Sequence, residues 1–161
     1  MTEQDLGETS RLKMLSMSSA FVSQDYLDTL NDKNYMKHTS VQSEFITRRK
    51  QIDFINKVRN SENKFIAAVD KNTGELVATS ILYLKKDTVN IGLLVIKKFS
   101  NSGLGAEILI FLIKLIKNSY PDKEFEVGTS LDNLPMRRLC ENIGLKSGFI
   151  TRDNLIFYKD N

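Results

Sequence analysis

The 161-residue chain contains one cysteine, Cys140, and one histidine, His38. A single thiol excludes an internal disulfide framework. No stretch reaches the roughly 18 consecutive apolar residues of a membrane span. The opening residues, MTEQDLGETSRLK, are polar and hold no signal-peptide core, so a cytoplasmic location with no membrane partner is the expectation. Long runs of like charge are missing as well. The net charge is +3 and the pI about 8.9, but the lysines are scattered among acids. Arg48, Arg49, Lys50, Arg137 and Arg138 have no aromatic platform beside them, which argues against a nucleic-acid partner. Internal repeats and low-complexity segments are absent. What remains, 41% hydrophobic and 27% charged residues, describes one ordinary domain with enough apolar content for a real core.

Residues 1–10 carry little apolar content and are expected to be a disordered tail, with a single domain over 11–161. RLKMLSM reads as a first strand. Ser23 caps a short helix in which Tyr26, Leu27 and Leu30 fall at helical spacing. The polar segment from Asn31 to Phe45, which includes His38, reads as a loop able to lie over a pocket. Thr47 then caps an amphipathic helix with Ile52, Ile55 and Val58 on one face. Three strands follow, KFIAAVD, LVATSILYL and TVNIGLLVI, joined by turns short enough for an antiparallel meander. Gly92 lies inside the third and predicts a bulge or a close backbone approach. GAEILIFLIKLIKN is a central helix most of whose circumference must be covered. It is a crossover to a parallel strand, EFEVGTS. A helix opening near Asn133 and ended by Gly144 follows, then two short strands around TRDN. The order predicts an α+β fold, a mixed sheet with helices on its faces.

KKFSNSGLGAEIL, residues 97–109, places two glycines between a strand and the central helix. Successive backbone N–H groups and the positive end of a helix dipole suit such a turn to a phosphate. The alternative is that Gly103 and Gly105 only seat a buried helix tightly on the sheet. Two phosphate motifs fail here. The Walker pattern needs Lys and then Ser or Thr after its second glycine, where this chain has Ala106 and Glu107. The dinucleotide fingerprint needs a third glycine at the first strand of a parallel unit.

IGLLVIKKFSNSGLGAEIL, followed by GTSLDNLPMRRLCENIGL, resembles two motifs of the GCN5-related N-acetyltransferases, and the likeness runs from about Arg11 to Tyr158. It implies a mostly antiparallel mixed sheet with a bulged, splayed fourth strand and about four helices. It also implies a direct transfer of acetyl from acetyl-CoA to a primary amine, with no metal. By position, Leu94, Val95 and Ile96 would pair with the pantetheine arm. The amides of Asn101, Ser102, Gly103, Leu104, Gly105 and Ala106 would hold the pyrophosphate, with Lys97 and Lys98 adding charge, and Asn133 would approach the thioester end. Two positions depart from the family pattern: Ser100 replaces an Arg or Gln, and Cys140 stands where many members carry a tyrosine acid.

Acetyl transfer needs an oxyanion donor and routes for protons off nitrogen and onto sulfur. The N–H near Val95 is a candidate donor. Cys140 is a candidate acid against the reading that it is a small core residue. His38 and Glu44 are candidate bases, Asp132 is a rival carboxylate, and Asn90 is able to hold a water. VSQDYLDTLNDKNYMKHTS, with Gly128, Thr129, Asn133 and Met136, is similar to acetyltransferases of polysaccharide biosynthesis. That likeness implies an amino sugar on a nucleotide carrier as the acceptor. Ribosomal-protein and antibiotic acetyltransferases share much of the outline, a non-catalytic CoA-binding module is the competing class, and a homodimer is compatible with all of them.

Overall fold

The computed structural model describes residues 4–38 and 44–161. Strands β1 (Asp5–Glu8), β2 (Leu12–Ser16), β3 (Lys64–Asp70), β4 (Leu76–Leu84), β5 (Thr88–Val95), β6 (Glu124–Ser130), β7 (Lys146–Ile150) and β8 (Leu155–Lys159) form one sheet in the order β1-β2-β3-β4-β5-β6-β8-β7. Helices α1 (Gln24–Leu30), α2 (Arg48–Arg59), α3 (Leu104–Ser119) and α4 (Leu134–Asn142) flank it. Among the described residues, only the β5–β6 contact is parallel, as the α3 crossover requires.

Local chemistry starts and stops these elements. Ser23 Oγ accepts from Tyr26 N–H at 3.2 Å, and Thr47 Oγ1 from Lys50 N–H at 3.1 Å, which satisfies amides that open α1 and α2. Asp70 Oδ1 accepts from the amides of Asn72 and Thr73 at 2.8 and 2.9 Å and closes the β3–β4 turn.

The alternation of strand side chains builds two cores. Ile66, Ala68, Leu82, Val89 and Ile91 pack with Leu104, Ile108, Leu109, Leu112 and Ile116 of α3 and with Cys140 of α4. Phe65, Ala67, Val69 and Ile96 pack with Tyr26 and Leu27 of α1 and Ile55 and Val58 of α2 on the opposite face. The sheet is thus a middle layer, with α3 and α4 on one side and α1 and α2 on the other.

Two expectations are revised. Asp5–Glu8 is not a tail: it pairs with β2, and the Glu107 carboxylate of α3 accepts from Thr9 Oγ1 and from Arg11 N–H and Nε–H. Sparse apolar content hid a strand whose attachment is polar. The β4–β5 register runs without a shift from Leu84–Val89 to Ala78–Val95, so β5 carries no bulge at Gly92. As expected, most of α3 is covered, and one stripe of it is left open. Ile110 is exposed, and with Phe111, Leu6 and Lys114 it borders an open groove of about 500 Å³ between β1 and α3. Leu112, fully buried at the centre of α3, is a stringent reporter of this packing. Leu112→Ala is expected to cost roughly 2–5 kcal/mol, read as a lower urea midpoint at unchanged m-value.

Candidate active site

The parallel register of β5 and β6 ends after three pairs, Thr88–Glu124, Val89–Phe125 and Asn90–Glu126. Asn90 Nδ2–H donates to Glu126 Oε1 at 3.3 Å and ties this last rung. Beyond it β5 continues to Val95 and β6 to Ser130 without pairing to each other, while β8 takes the far edge of β6. A wedge therefore opens in the sheet.

The ladder on the other side of β5 decides which backbone groups face the wedge. Lys85 N–H donates to Thr88 O at 2.9 Å and Ile96 N–H to Val77 O at 2.8 Å. By the alternation of an antiparallel pair, Asn90, Gly92, Leu94 and Ile96 turn their peptide groups to β4, and Ile91, Leu93 and Val95 turn theirs to the wedge. Of the three residues expected to meet a pantetheine arm, Val95 alone faces the gap. Leu94 and Ile96 are spent on β4, and Ile96 is buried. Leu93 and Ile91 were missed because a one-residue register choice is not visible in an apolar run.

The glycine turn lies at the mouth of the wedge. Asn101 and Gly103 both have positive φ, 61° and 80°, and Gly103 caps α3 in the left-handed conformation. The first amide of α3 with a partner is that of Glu107, bonded to Gly103 O at 3.3 Å. Among the described residues, no protein acceptor meets the N–H groups of Asn101 through Ala106, the open donor set that a helix N-terminus offers an anion. Ser100 bonds Lys97 O through its hydroxyl at 2.7 Å and has no charge to give. The cation comes from Arg11 instead. Its Nη1–H donates to Ser102 O at 3.2 Å, and a Cβ on Gly103 would lie 3.6 Å from its Nη2. Arg11 precedes this loop by 91 positions, so no local pattern could have found it. Burial alone would raise the Glu107 carboxyl, but the hydrogen bonds from Thr9 and Arg11 outweigh it and hold the group below its ordinary range.

Lys97 and Lys98 do not point freely at the cradle. Lys97 Nζ is 2.6 Å from Asp32, and Lys98 Nζ lies 2.7 Å from Glu75 and 3.4 Å from Asp25.

The segment after α1 crosses the mouth of the wedge as a strap. Tyr35 OH donates to Val95 O at 2.7 Å, and His38 Nδ1 stands 3.3 Å from Asp132 Oδ1 in the β6–α4 turn. Residues 35–38 thus touch both lips of the gap, and the fold brings His38 and Asp132 together. Tyr35 was missed, being 60 positions from Val95. The hydrogen bond from Ser130 at 2.5 Å, opposed by burial and helped by His38, holds the Asp132 carboxyl below its usual range. The hydrogen bond from Lys97 does the same for Asp32.

Glu44, Cys140 and Asn133 take other places. The exposed Glu44 pairs with Lys50 at 3.4 Å, at the start of α2. The Asn133 side chain caps α4, accepting from Met136 N–H at 3.3 Å. Cys140 is 0% exposed within the α3 core, and burial, then the nearby Glu141 carboxylate, push its thiol up to about 12. It faces core and not the wedge, which removes it as the acid that meets sulfur. Among the described residues, no group of three or more His, Cys, Asp or Glu side chains is placed to hold a metal, and no helix is long and apolar enough to cross a membrane.

A splayed strand pair, an open amide cradle at a helix N-terminus and a strap over its mouth make a site for an extended, phosphate-bearing molecule. The family model of the acetyltransferase (GNAT) domain matches residues 19–146. The chain belongs to the GNAT acetyltransferases. It is an acyltransferase, acetyl-CoA its co-substrate and an amine nitrogen its acceptor. Solved structures share the fold. A GNAT-family acetyltransferase from Bacillus anthracis superposes with a TM-score of 0.77 at 18% identity, over 94% of this chain and 93% of that one. A ribosomal-protein alpha-N-acetyltransferase, RimL, in complex with coenzyme A gives 0.81 at 11% identity, over 96% of both. A microcin C7 self-immunity acetyltransferase in complex with acetyl-CoA and AMP gives 0.75 at 14%, over 92% and 91%. Among curated proteins, none matches the chain significantly.

Two predictions follow from these placements. Folded protein near pH 8 should leave Cys140 unlabelled by iodoacetamide, and Cys140→Ala should keep acetyl-transfer activity within about threefold, the thiol being core. For the strap, both carboxylates sit below their unfolded values. Their stabilisation is therefore complete above the unfolded carboxyl value of about 3.9 and is lost as pH falls through the lowered folded values. Hydrogen exchange over residues 32–38, corrected for intrinsic rates, should be equally protected at about pH 7 and pH 5 and should lose protection only below about pH 4.

Proposed function

We propose that acetyl-CoA lies in the wedge with its pyrophosphate on the amides of Asn101, Ser102, Gly103, Leu104, Gly105 and Ala106, and with its pantetheine arm along the free peptide groups of Val95 and Leu93. The observation that carries this reading is the coincidence of an unpaired strand edge with an unsatisfied amide cradle at one end of it. Arg11 supplies the charge that Ser100 lacks. The Val95 carbonyl is held by Tyr35, so the strap has to yield this bond or share it when the arm enters. Asn133, committed to the α4 cap, supports the site by fixing the start of that helix beside the wedge.

Acetyl-CoA brings an activated thioester, and the chain has to align it, exclude competing water and manage protons. The Val95 N–H lies at the mouth, so the candidate donor to the carbonyl oxygen as charge builds there is the wedge-facing N–H of Leu93, at the inner end of the arm. The amine enters from the α1/α2 face, on which Gly92 presents no side chain, while Phe157 covers Gly128.

The proposed acceptor is an amino sugar on a nucleotide carrier. Beyond the sequence likeness, its support is an apolar platform on that face. Phe157 lies over Gly128, where a Cβ would sit 2.7 Å from its ring, and Phe149 stacks on Phe157 at 5.1 Å while 57% exposed. A stacked pair with one exposed ring suits a nucleobase or sugar face. The alternative acceptor, the α-amino group of a ribosomal protein, draws on the overlay with RimL.

Gly105→Asp tests the cofactor site. A Cβ there makes ordinary contacts, 3.4 Å to Leu139 and 3.7 Å to Val95, so there is room for it, and the added carboxylate in the first turn of α3 stands beside the cradle and repels a pyrophosphate. Calorimetry should show micromolar acetyl-CoA binding by wild type and at least about tenfold weaker binding by the variant, at a melting temperature within a few degrees. Equal affinities would refute the placement.

A further inference from the structure

Proton transfer from the amine has no obvious owner among the expected residues. Cys140 is core, Glu44 is paired at the start of α2, and His38 sits at the mouth of the wedge with the pyrophosphate cradle. The proposed arm runs from that mouth along Val95 and Leu93, so its thioester lies inward. It cannot pass the Asn90–Glu126 rung, because there the strands pair and the gap closes. The reacting end is thus bounded by that rung.

Side-chain alternation then selects a face. Val89, Ile91, Leu93 and Val95 point to the α3 core, as do Phe125 and Val127 on β6. Asn90 and Glu126 consequently point to the other face, the one from which the amine enters. Their mutual hydrogen bond confirms that they share it. Glu126 is only half-buried, so water and an amine reach it. His38 contacts the β6–α4 turn at Asp132, beyond Ser130, which is itself four positions or about 13 Å of strand from Glu126.

We propose that Glu126 is the general base of the transfer and that Asn90 is its positioning residue, the amide N–H holding one carboxylate oxygen while the other faces the amine. The neutral amine nitrogen attacks the thioester carbonyl carbon, a C–N bond forms and the C–S bond breaks. The proton that leaves nitrogen passes to Glu126, directly or through one water. A proton from solvent reaches the CoA sulfur, and Glu126 returns its own to solvent, so the reaction releases no net charge. The inference rests on acetyl-CoA occupying the wedge as proposed above.

The test uses the intact chain with four probe amines: ethanolamine, spermidine, an N-terminal alanine tetrapeptide and a UDP-linked amino sugar. With the probe that turns over fastest, Glu126→Gln should lower kcat by at least about 100-fold, the scale of general-base catalysis, with the acetyl-CoA Kd within twofold of wild type. Glu126→Asp should recover part of that loss, and Asn90→Ala should lower kcat roughly tenfold with little change in KM, a split that a fold defect would not produce. Far-ultraviolet dichroism and acetyl-CoA calorimetry on each variant confirm folding independently of turnover. Glu126→Gln retaining kcat within threefold while binding acetyl-CoA overturns the assignment and leaves the cofactor site standing. Wild type that binds acetyl-CoA yet accelerates none of the four amines also overturns it. Absence of acetyl-CoA binding by wild type removes the cofactor reading itself.

Discussion

The end of the β5–β6 pairing at Asn90 and Glu126 is the constraint on which the rest of the site depends. An unpaired strand edge in the middle of a sheet is costly, because buried peptide groups without partners lose about as much as a lost hydrogen bond. The fold tolerates it because β6 is held on its other edge by β8 and β5 by the full length of β4. Both strands stay ordered while the space between them stays open. The peptide groups of Ile91, Leu93 and Val95 are left as a ready-made template for a partner with alternating donors and acceptors, the logic by which a sheet edge takes an added strand.

The strap and the glycine turn follow from that opening. Wherever the wedge widens, something polar has to meet the free groups, and in the structure Tyr35 meets the Val95 carbonyl. The same segment is fastened to Asp132 by His38 and to Lys97 by Asp32. The β1–β2 hairpin plays a comparable part behind the cradle. Glu107, in the first turn of α3, gathers Thr9 and Arg11, so that a guanidinium comes to rest beside the amides that would hold a phosphate. A surface ion pair contributes little to stability by itself. Its worth here is positional, since it fixes where a cation stands relative to a helix N-terminus.

Much of the fold was legible because its elements announce themselves locally. The Ser23 and Thr47 caps, the three alternating strands and the Gly103–Gly105 turn each follow from short-range rules, and the structure has all of them. Where the reading failed, a long-range interaction had decided the matter. Asp5–Glu8 pairs with β2, and the turn between them, Thr9 to Arg11, is held by Glu107, far along the chain; the continuous β4–β5 register absorbed Gly92 without a bulge. The likeness to a family located the cradle, but could not say which of Leu93, Leu94, Val95 and Ile96 turned their peptide groups to it.

By itself, then, the sequence determined the order of the elements after the first strand, the absence of a disulfide framework and the donor-rich turn before the central helix, since each depends on residues within a few positions of one another. Only the tertiary structure decided the chemistry of the site. It buried Cys140 and raised its thiol, brought Arg11 to the glycine turn and set Glu126 against Asn90, while Asn133 and Glu44 were taken by partners three and six positions away. For Cys140, Arg11 and Glu126 the physical reason is common. A side chain's protonation, reach and partners depend on its neighbours in space, and those neighbours are set by strand register and helix packing rather than by the residues beside it in the chain.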